Sequence, residues 1–176
     1  MLASHNSYTF LPALNPLYNI LSKFWKCQNK DIKEQYIAGV RYFDIRVCRK
    51  NNLWYLCHGL AIVDECFDSL YSISKYFKTE YPEAQLRIIL EKGKEKEFIE
   101  ESKNLRLFKN IVFIGIKKNW DILYQSKNHP KIVDLCFKKW SLKNIFTNSI
   151  KKYSEARPVS KDMINQTNVV YFKDFV

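Results

Sequence analysis

Two histidines of this sequence follow the segments that most clearly predict β-strands. His5 comes directly after the short apolar run Leu2–Ser4, and His58 comes directly after the predicted strand Leu53–Cys57. Because an imidazole has an unperturbed pKa of about 6.5, one ring can accept a proton near neutral pH while another donates one. A single histidine at a strand end is more often a hydrogen-bonded structural residue. As a pair, the two rings are candidates for a general base and a general acid.

Charged residues mark two further predicted strands. Asp44 and Arg46 lie two positions apart in Val40–Cys48, so their side chains point to the same face of the strand. Charges on an otherwise apolar strand are costly to bury unless they are paired or used, and a structural ion pair is the alternative to a functional role. Glu91 follows the predicted strand Leu86–Leu90, where a solvated turn is the alternative.

The last predicted strand, Val169–Val176, contains one more acidic residue, Asp174. Strands alternate with helices along the chain, which predicts an α/β fold with a mainly parallel sheet. In such folds the catalytic groups gather at the carboxyl ends of the strands. The groups that this rule places together are His5, Asp44, Arg46, His58, Glu91 and Asp174.

The remaining elements follow from helical spacing, capping residues and apolar runs. The predicted helices are Pro12–Trp25, Asp31–Ala38, a helix capped by Asp64 that runs to about Tyr81, and Glu95–Leu105. Ile111–Ile116 is a further predicted strand, and Ile132–Trp140 and Leu142–Tyr153 are predicted to be helical or mixed. Within the first helix, the stretch Leu14–Trp25 either binds a membrane interface or packs on the core. His129 precedes a proline and is predicted to be a loop residue.

Composition limits the class of protein. With 176 residues, 47% of them hydrophobic and 27% charged, the sequence predicts one folded domain over residues 1–176. Lys and Arg number 29 against 18 Asp and Glu, a net charge of +11, which favours anionic partners such as phosphates or an acidic membrane face. The five cysteines are odd in number and form no CxxC pair, so we expect reduced thiols in a cytosolic setting rather than disulfides or a structural zinc site.

No signal peptide or transmembrane helix is expected from the apolar runs of the sequence. The expected location is therefore cytoplasmic or peripheral to a membrane. The lysines are dispersed and no nucleic-acid-binding motif is present, so no nucleic-acid partner is expected. The oligomeric state stays open.

Three segments, taken in order, resemble the X domain of phosphatidylinositol-specific phospholipases C. They are Ser4-His5-Asn6-Ser7-Tyr8-Thr9, the stretch 39–47 that contains Asp44 and Arg46, and His58-Gly59. The resemblance covers about residues 1 to 92, and Lys173-Asp174-Phe175-Val176 is similar to the family's last barrel strand. It implies a TIM-type (β/α) barrel. Because such barrels typically need about 250 residues, this one is expected to be minimal, and irregular or incompletely closed.

The resemblance also implies a reaction, in which a phosphodiester between inositol and diacylglycerol is cleaved. His5 would take the proton of the inositol 2-hydroxyl, which attacks phosphorus, and His58 would protonate the departing diacylglycerol oxygen. Asp174 would orient His5, and Asp44 and Arg46 would complete the catalytic set. The products would be diacylglycerol and a cyclic inositol phosphate.

Metal dependence is where the two branches of that family differ. Eukaryotic members bind calcium through positions that match Asn6, Asp44 and Glu91, but Arg46 stands where they have a second acid. Bacterial members have arginine there and need no metal, and a guanidinium can supply the phosphate charge stabilisation that a metal otherwise gives. We therefore expect no cofactor, with calcium disfavoured by Arg46, and we expect Asn6, Glu91 and Arg46 to bind the substrate.

The predicted function is thus a phosphatidylinositol phosphodiesterase, a hydrolase or lyase of membrane lipids, with a phosphoinositide or another anionic membrane lipid as partner. The alternative is a non-catalytic phosphoinositide- or membrane-binding module that retains the barrel. Related enzymes that act on glycerophosphodiesters or sphingolipids normally have a metal-binding acid cluster, which Arg46 disfavours.

Overall fold

One curled sheet of nine strands organises the part of the chain that the structure describes. The structure is a computed structural model that describes residues 1–136, 150–166 and 168–176. The strands are β1 (Leu2–Ser4), β2 (Val40–Lys50), β3 (Leu53–His58), β4 (Ala61–Phe67), β5 (Gln85–Lys92), β6 (Ile111–Ile116), β7 (Asp121–Gln125), β8 (Lys131–Asp134) and β9 (Val169–Lys173). The helices are α1 (Pro16–Ile20), α2 (Ile32–Ile37), α3 (Leu70–Glu80), α4 (Glu95–Leu105), α5 (Ile150–Glu155) and α6 (Lys161–Ile164), with a 3₁₀ turn at Ser22–Phe24.

The order of the strands is that of an incompletely closed barrel. The main path runs β7-β6-β5-β2-β1-β9-β8, while β3 pairs with both β2 and β4. Six strands run parallel, and β3, β4 and β7 are antiparallel to their neighbours. Within the described ranges the edge strands β7 and β8 do not pair with each other. The curled sheet therefore stays open, as a half-barrel. The prediction of an α/β fold with an irregular or open TIM-type barrel is confirmed.

Strand β2 shows how the sequence separates the core from the site. Phe43, Ile45 and Val47 are buried in the larger hydrophobic core, where the Phe43 ring lies 5.3 Å from that of Phe77 on α3. The alternate residues Asp44 and Arg46 point to the opposite, concave face. This strand therefore packs on the helices with one face and presents charge with the other.

Two helix boundaries are set by capping side chains. Asp31 and Glu34 form a reciprocal capping box at the start of α2, as the predicted helix Asp31–Ala38 requires. Ser69 caps α3, where its hydroxyl accepts a hydrogen bond from the Ser72 amide at 3.2 Å. The prediction that Asp64 begins this helix was wrong, because Asp64 lies within β4.

Other corrections concern short elements. Of the predicted helix Pro12–Trp25 only α1 and the 3₁₀ turn form, because Ala13 makes a strand-like bridge to Val63. Ile132 begins no helix but belongs to β8, and β7 was not predicted. Most of Ile132–Trp140 and Leu142–Tyr153 lies outside the described residues, although Ile150–Glu155 is helical. Among the described helices, none is long and apolar enough to cross a membrane.

Candidate active site

The two ends of the chain meet in the middle of the sheet. Strand β1 pairs with β9 in the register Ser4–Lys173, so His5 and Asp174 leave the sheet side by side. His5 Nδ1 lies 2.7 Å from Asp174 Oδ1, and the Asp174 carboxylate is buried. Because a carboxylate only accepts, the hydrogen sits on Nδ1 and the lone pair sits on Nε2.

Two donors converge on that lone pair. Arg46 Nη2 lies 2.9 Å from His5 Nε2, and the side-chain amide nitrogen of Asn6 lies 3.0 Å from it. Both contacts require Nε2 to be unprotonated, which agrees with the hydrogen on Nδ1. The imidazole is thus held as the tautomer that a general base needs.

The Arg46 guanidinium forms hydrogen bonds with three other residues of the site, one of which is His5. Its Nε donates to Asp44 Oδ2 at 3.0 Å and its Nη1 donates to Glu91 Oε2 at 3.2 Å. Burial alone would lower the pKa of Arg46, but the two carboxylates outweigh that effect and raise it above the ordinary value. The guanidinium therefore stays charged and is fixed in orientation.

Asp44 is fully buried next to the Arg46 guanidinium. Burial would raise its pKa, but the charges of Arg46 and Arg87 hold the pKa well below its usual range. The backbone N–H of Asn6 donates to Asp44 Oδ2 at 3.2 Å, in a left-handed conformation with φ 46° that asparagine tolerates well. Asp44 thereby ties the loop after β1 to Arg46.

Glu91, the penultimate residue of β5, lies on the other side of Arg46. Its Oε1 accepts hydrogen bonds from the Gly59 amide, at 2.8 Å, and from the Lys117 ammonium. Burial would raise the pKa of Glu91, but Arg46 and Lys117 lower it overall. Lys117 is a site residue that the sequence analysis missed. Its signal was present in the sequence, because Lys117 directly follows the strand Ile111–Ile116, as Glu91 follows the predicted strand Leu86–Leu90.

His58 reaches the site by a different route from the other groups. Its strand, β3, is antiparallel to β2, so the rule about carboxyl ends of parallel strands was wrong for this residue. Strands β2 and β3 project as a hairpin that brings the end of β3 back to the site. A two-residue turn follows, in which Gly59 has the positive φ of 59° that such turns require.

The two imidazoles face each other. Their ring centroids lie 5.8 Å apart and the ring planes meet at 76°. His58 Nδ1 donates to the Trp25 carbonyl at 2.5 Å, which leaves Nε2 as the nitrogen available for proton transfer. Burial, followed by the nearby His5 and Arg46, lowers the pKa of His58 to about 4, so the ring is neutral near pH 7.

The oxygen ligands proposed for calcium do not fit that ion here. Calcium takes six to eight oxygen ligands at about 2.3–2.6 Å. Asp44 and Glu91 instead turn one oxygen each toward the Arg46 guanidinium, which fills the space between them. This arrangement agrees with the expectation that Arg46 disfavours calcium.

Two adjoining clefts open beside His58. One, of about 650 Å³, is lined by charged groups that include Glu91, Lys92 and Lys117. The other, of about 420 Å³, is lined mainly by apolar and aromatic side chains, among them Leu21 and Phe24. Both clefts include the Gly59–Leu60 turn, and His58 itself lines the apolar cleft.

All seven predicted site residues come together in this region. They are His5, Asn6, Asp44, Arg46, His58, Glu91 and Asp174. His129 does lie in a loop, as predicted, and its Nε2 is 3.0 Å from the Tyr42 hydroxyl, with no contact to the histidine pair in the part of the chain described.

Comparison with known proteins gives matches among solved structures only, since no family model and no curated protein matches the chain. A phosphatidylinositol-specific phospholipase C of Staphylococcus aureus matches with a TM-score of 0.64 and 16% identity, over 100% of this chain and 85% of that one. The enzyme of Listeria monocytogenes matches with a TM-score of 0.62 and 14% identity, over 99% of this chain and 87% of that one. The chain has the fold of the bacterial phosphatidylinositol-specific phospholipases C.

A double mutant of the Staphylococcus aureus enzyme matches at a similar level, with a TM-score of 0.62, 15% identity, and coverage of 99% of this chain and 84% of that one. The matches span almost the whole chain, including the segment beyond residue 92 where the sequence resemblance was weak. The phospholipase C fold therefore extends over both halves of the sequence, and it brings Asp174 to His5 from the far half.

Proposed function

We propose that this chain is a phosphodiesterase of phosphatidylinositol-type lipids, with residues 1–176 acting as one catalytic domain. The observation that carries the proposal is the convergence of His5, Arg46 and His58. Arg46 lies 2.9 Å from the base nitrogen of His5, and the two imidazole rings lie 5.8 Å apart. A phosphodiester held by Arg46 would meet a base on one side and an acid on the other.

His5 is the proposed general base. Its Nε2 lone pair takes the proton of the inositol 2-hydroxyl, whose oxygen then attacks phosphorus. Asp174 accepts the Nδ1 hydrogen and stabilises the imidazolium that forms. Arg46 already donates to Nε2, so substrate binding has to redirect this guanidinium N–H toward a phosphate oxygen.

His58 is the proposed general acid, which needs a proton to give. In the free protein burial and the cationic Arg46 keep its pKa at about 4. The phosphodiester brings a negative charge that offsets Arg46, so substrate binding raises the pKa of His58 toward neutrality. His58 Nε2–H then protonates the diacylglycerol oxygen as the bond to phosphorus breaks. The products are diacylglycerol and inositol 1,2-cyclic phosphate.

The two clefts match the two halves of such a lipid. The charged cleft at Glu91 and Lys117 suits a polyhydroxylated head group, which needs both donors and acceptors. The apolar cleft at Leu21 and Phe24 touches His58, the residue that protonates the leaving group. Diacylglycerol therefore departs on the apolar side.

A membrane surface is the proposed partner. Leu17, Ile20 and Leu60 are 57%, 79% and 70% exposed, and we call these three residues the apolar rim. Exposed apolar side chains beside the apolar cleft can enter the lipid interface, and the net charge of +11 attracts anionic lipid. Trp25, in contrast, is buried, so only part of Leu14–Trp25 belongs to this surface. The structure of the Staphylococcus aureus enzyme that matches this chain was determined in connection with modulation of membrane binding by that enzyme.

The experiment is release of inositol phosphate from phosphatidylinositol vesicles, with His5→Ala and His58→Ala as controls. We expect release by the wild type that both substitutions reduce by at least a hundredfold. No release above the controls would refute the proposal. Vesicle binding without turnover would instead favour the non-catalytic membrane-binding module.

A further inference from the structure

Cys27 is a buried thiol inside the candidate site that the proposed reaction does not use. Its Sγ lies 3.7 Å from His58 Nδ1 and 3.9 Å from the side-chain nitrogen of Asn6, and the residue is 1% exposed. Its backbone is fixed on both sides, because its N–H donates to the Thr9 hydroxyl and its carbonyl accepts from the Phe175 amide. The thiol is therefore held in place at the centre of the site.

Cys27 shares this position with two further metal-ligating groups. Its Sγ, a ring nitrogen of His5 and a carboxylate oxygen of Asp174 all lie within 4.8 Å of one another. Thiolate, imidazole and carboxylate are the ligands of zinc, with bonds of about 2.0–2.3 Å. These three ligands differ from the oxygen ligands that calcium prefers, and they include neither Asp44 nor Glu91.

The Asn6 side chain, beside this cluster, contains an unsatisfied oxygen. Asn6 Oδ1 has no hydrogen-bond partner, although Asn6 is only 2% exposed. The other atom of this amide, Nδ2, is the one that approaches Cys27 and His5. A half-turn of the amide would present Oδ1 to His5 Nε2, where the oxygen could accept a hydrogen bond once that nitrogen carries a hydrogen.

We propose that a soft divalent ion of the zinc class binds to Cys27, His5 Nδ1 and Asp174, and thereby inhibits the protein. The ion takes the place of the hydrogen between His5 and Asp174. On binding, the Cys27 thiol loses its proton to solvent, and the His5 hydrogen moves from Nδ1 to Nε2. Nε2 then carries a hydrogen where the general base needs a lone pair.

The metal site itself is independent of the proposed function, whereas the inhibition rests on it, so the experiment has two arms. In the first, Co²⁺ is added to the metal-free protein as a spectroscopic probe. We expect a thiolate-to-cobalt charge-transfer band that Cys27→Ser and Cys27→Ala abolish. Cys66→Ser, at a half-buried cysteine on β4, is the matched control and should keep the band.

In the second arm, Zn²⁺ is titrated into the phosphatidylinositol assay, and each variant is compared with its own metal-free rate. We expect Zn²⁺ to inhibit the wild type, Cys27→Ala to need at least ten times more Zn²⁺, and Ca²⁺ to have no such effect. Should both Cys27 variants fail to fold, the zinc-induced rise in Tm is compared between wild type and His5→Asn, where it should be lost.

The outcomes separate the two claims. Absence of a Cys27-dependent cobalt band, or a zinc-induced Tm shift that His5→Asn retains, overturns the metal site whether or not the protein cleaves lipid. Inhibition that Cys27→Ala leaves unchanged overturns the inhibitory role. A Cys27-dependent band in a protein without any lipid cleavage supports the metal site and counts against the proposed function instead.

Discussion

His5 Nδ1 and Asp174 Oδ1 lie 2.7 Å apart, although 169 positions separate the two residues in the sequence. The contact exists because β1 and β9 are neighbours in the sheet, and each residue directly follows its strand. The buried side chain of Gln28 secures the arrangement, since its Nε2 donates to the carbonyls of both His5 and Lys173 at 3.1 Å. The orientation of the proposed base thus depends on this pairing of distant strands.

Asp174→Asn tests that dependence. Asparagine keeps the size of the side chain but can donate to Nδ1, which favours the tautomer with hydrogen on Nε2. We expect kcat to fall by roughly 10³–10⁴-fold with a small change in KM. Asp162→Asn, at an exposed position on α6, is the control and should keep full activity. Equal activity of Asp174→Asn and the wild type would contradict the assigned role of Asp174.

His58→Ala tests the assignment of the general acid. A leaving group that is itself acidic, such as a nitrophenolate, departs without a proton, whereas an alkoxide does not. We therefore expect His58→Ala to lose at least a hundredfold more activity on phosphatidylinositol than on a soluble nitrophenyl phosphodiester of inositol. His5→Ala should lose activity on both substrates alike. An equal loss of activity by His58→Ala on the two substrates would assign His58 another role.

Substitutions at Arg46 separate charge from geometry. Arg46→Lys keeps the charge but cannot contact Asp44, Glu91 and His5 together, so we expect a loss of about 10²–10³-fold in kcat. Arg46→Met leaves two buried carboxylates without their shared partner and should cost about 3–5 kcal/mol in the free energy of unfolding.

The control for the Arg46 variants is Arg106→Met, at an exposed position. This substitution should change neither kcat nor the free energy of unfolding appreciably. Denaturant unfolding and the vesicle assay provide the two measurements. A calcium chelator should leave the wild-type activity unchanged, and a chelator-sensitive activity would argue against the assigned role of Arg46.

Glu91→Gln gives a pH-dependent effect on stability. Because the pKa of Glu91 is lowered from 4.5 in the folded protein, its charge stabilises the fold above that pH, and this contribution disappears as the pH falls. We expect Glu91→Gln to lose about 2 kcal/mol of unfolding free energy at pH 7 and much less near pH 3. Glu80→Gln, at an exposed position, should show no such trend. A pH-independent loss would mean that the charge of Glu91 is not what stabilises the site.

Ile20→Glu tests the apolar rim. Placing a charge on this 79% exposed residue of α1 should reduce vesicle binding and vesicle hydrolysis by about tenfold or more, while hydrolysis of a soluble substrate stays unchanged. Ile37→Glu is the matched control, because Ile37 is 74% exposed but ends α2, just before the start of β2. Equal effects of the two substitutions would remove the rim from the proposed interface.

The residues that meet at the candidate site could be predicted from the sequence better than the way in which the fold brings them together. Asp44 and Arg46 were placed correctly because alternation along a strand is a local property. Asp174 required a resemblance to a known family, since no local pattern relates it to His5. Lys117 was missed because a lysine that follows an apolar strand is usually a solvated residue, and only Glu91 gives it a partner.

Elements that depend on distant partners were also the ones predicted wrongly. The segment around Asp64 has a helix-capping residue, but Ala61 and Val63 are buried against β3 and the sheet prevails over local propensity. Strand β7 has no buried residue and forms by pairing with β6, so its sequence carries little hydrophobic signal. The cysteine spacing argued against both disulfides and a structural zinc site, and it gave no sign of Cys27 as a metal ligand, because the proximity of Cys27 to His5 exists only in three dimensions.

The central place of β1 has a consequence for biosynthesis. This strand is translated more than 160 residues before β9, which is one of its two neighbours in the sheet. Until then the nascent chain keeps one edge of β1 unpaired, and His5 lacks the Asp174 carboxylate that accepts its Nδ1 hydrogen. Folding of this type is slow because distant segments must meet. Any catalytic competence should therefore arise abruptly, once β9 has joined β1, and nascent chains that lack β9 should not cleave the lipids of the membranes they encounter.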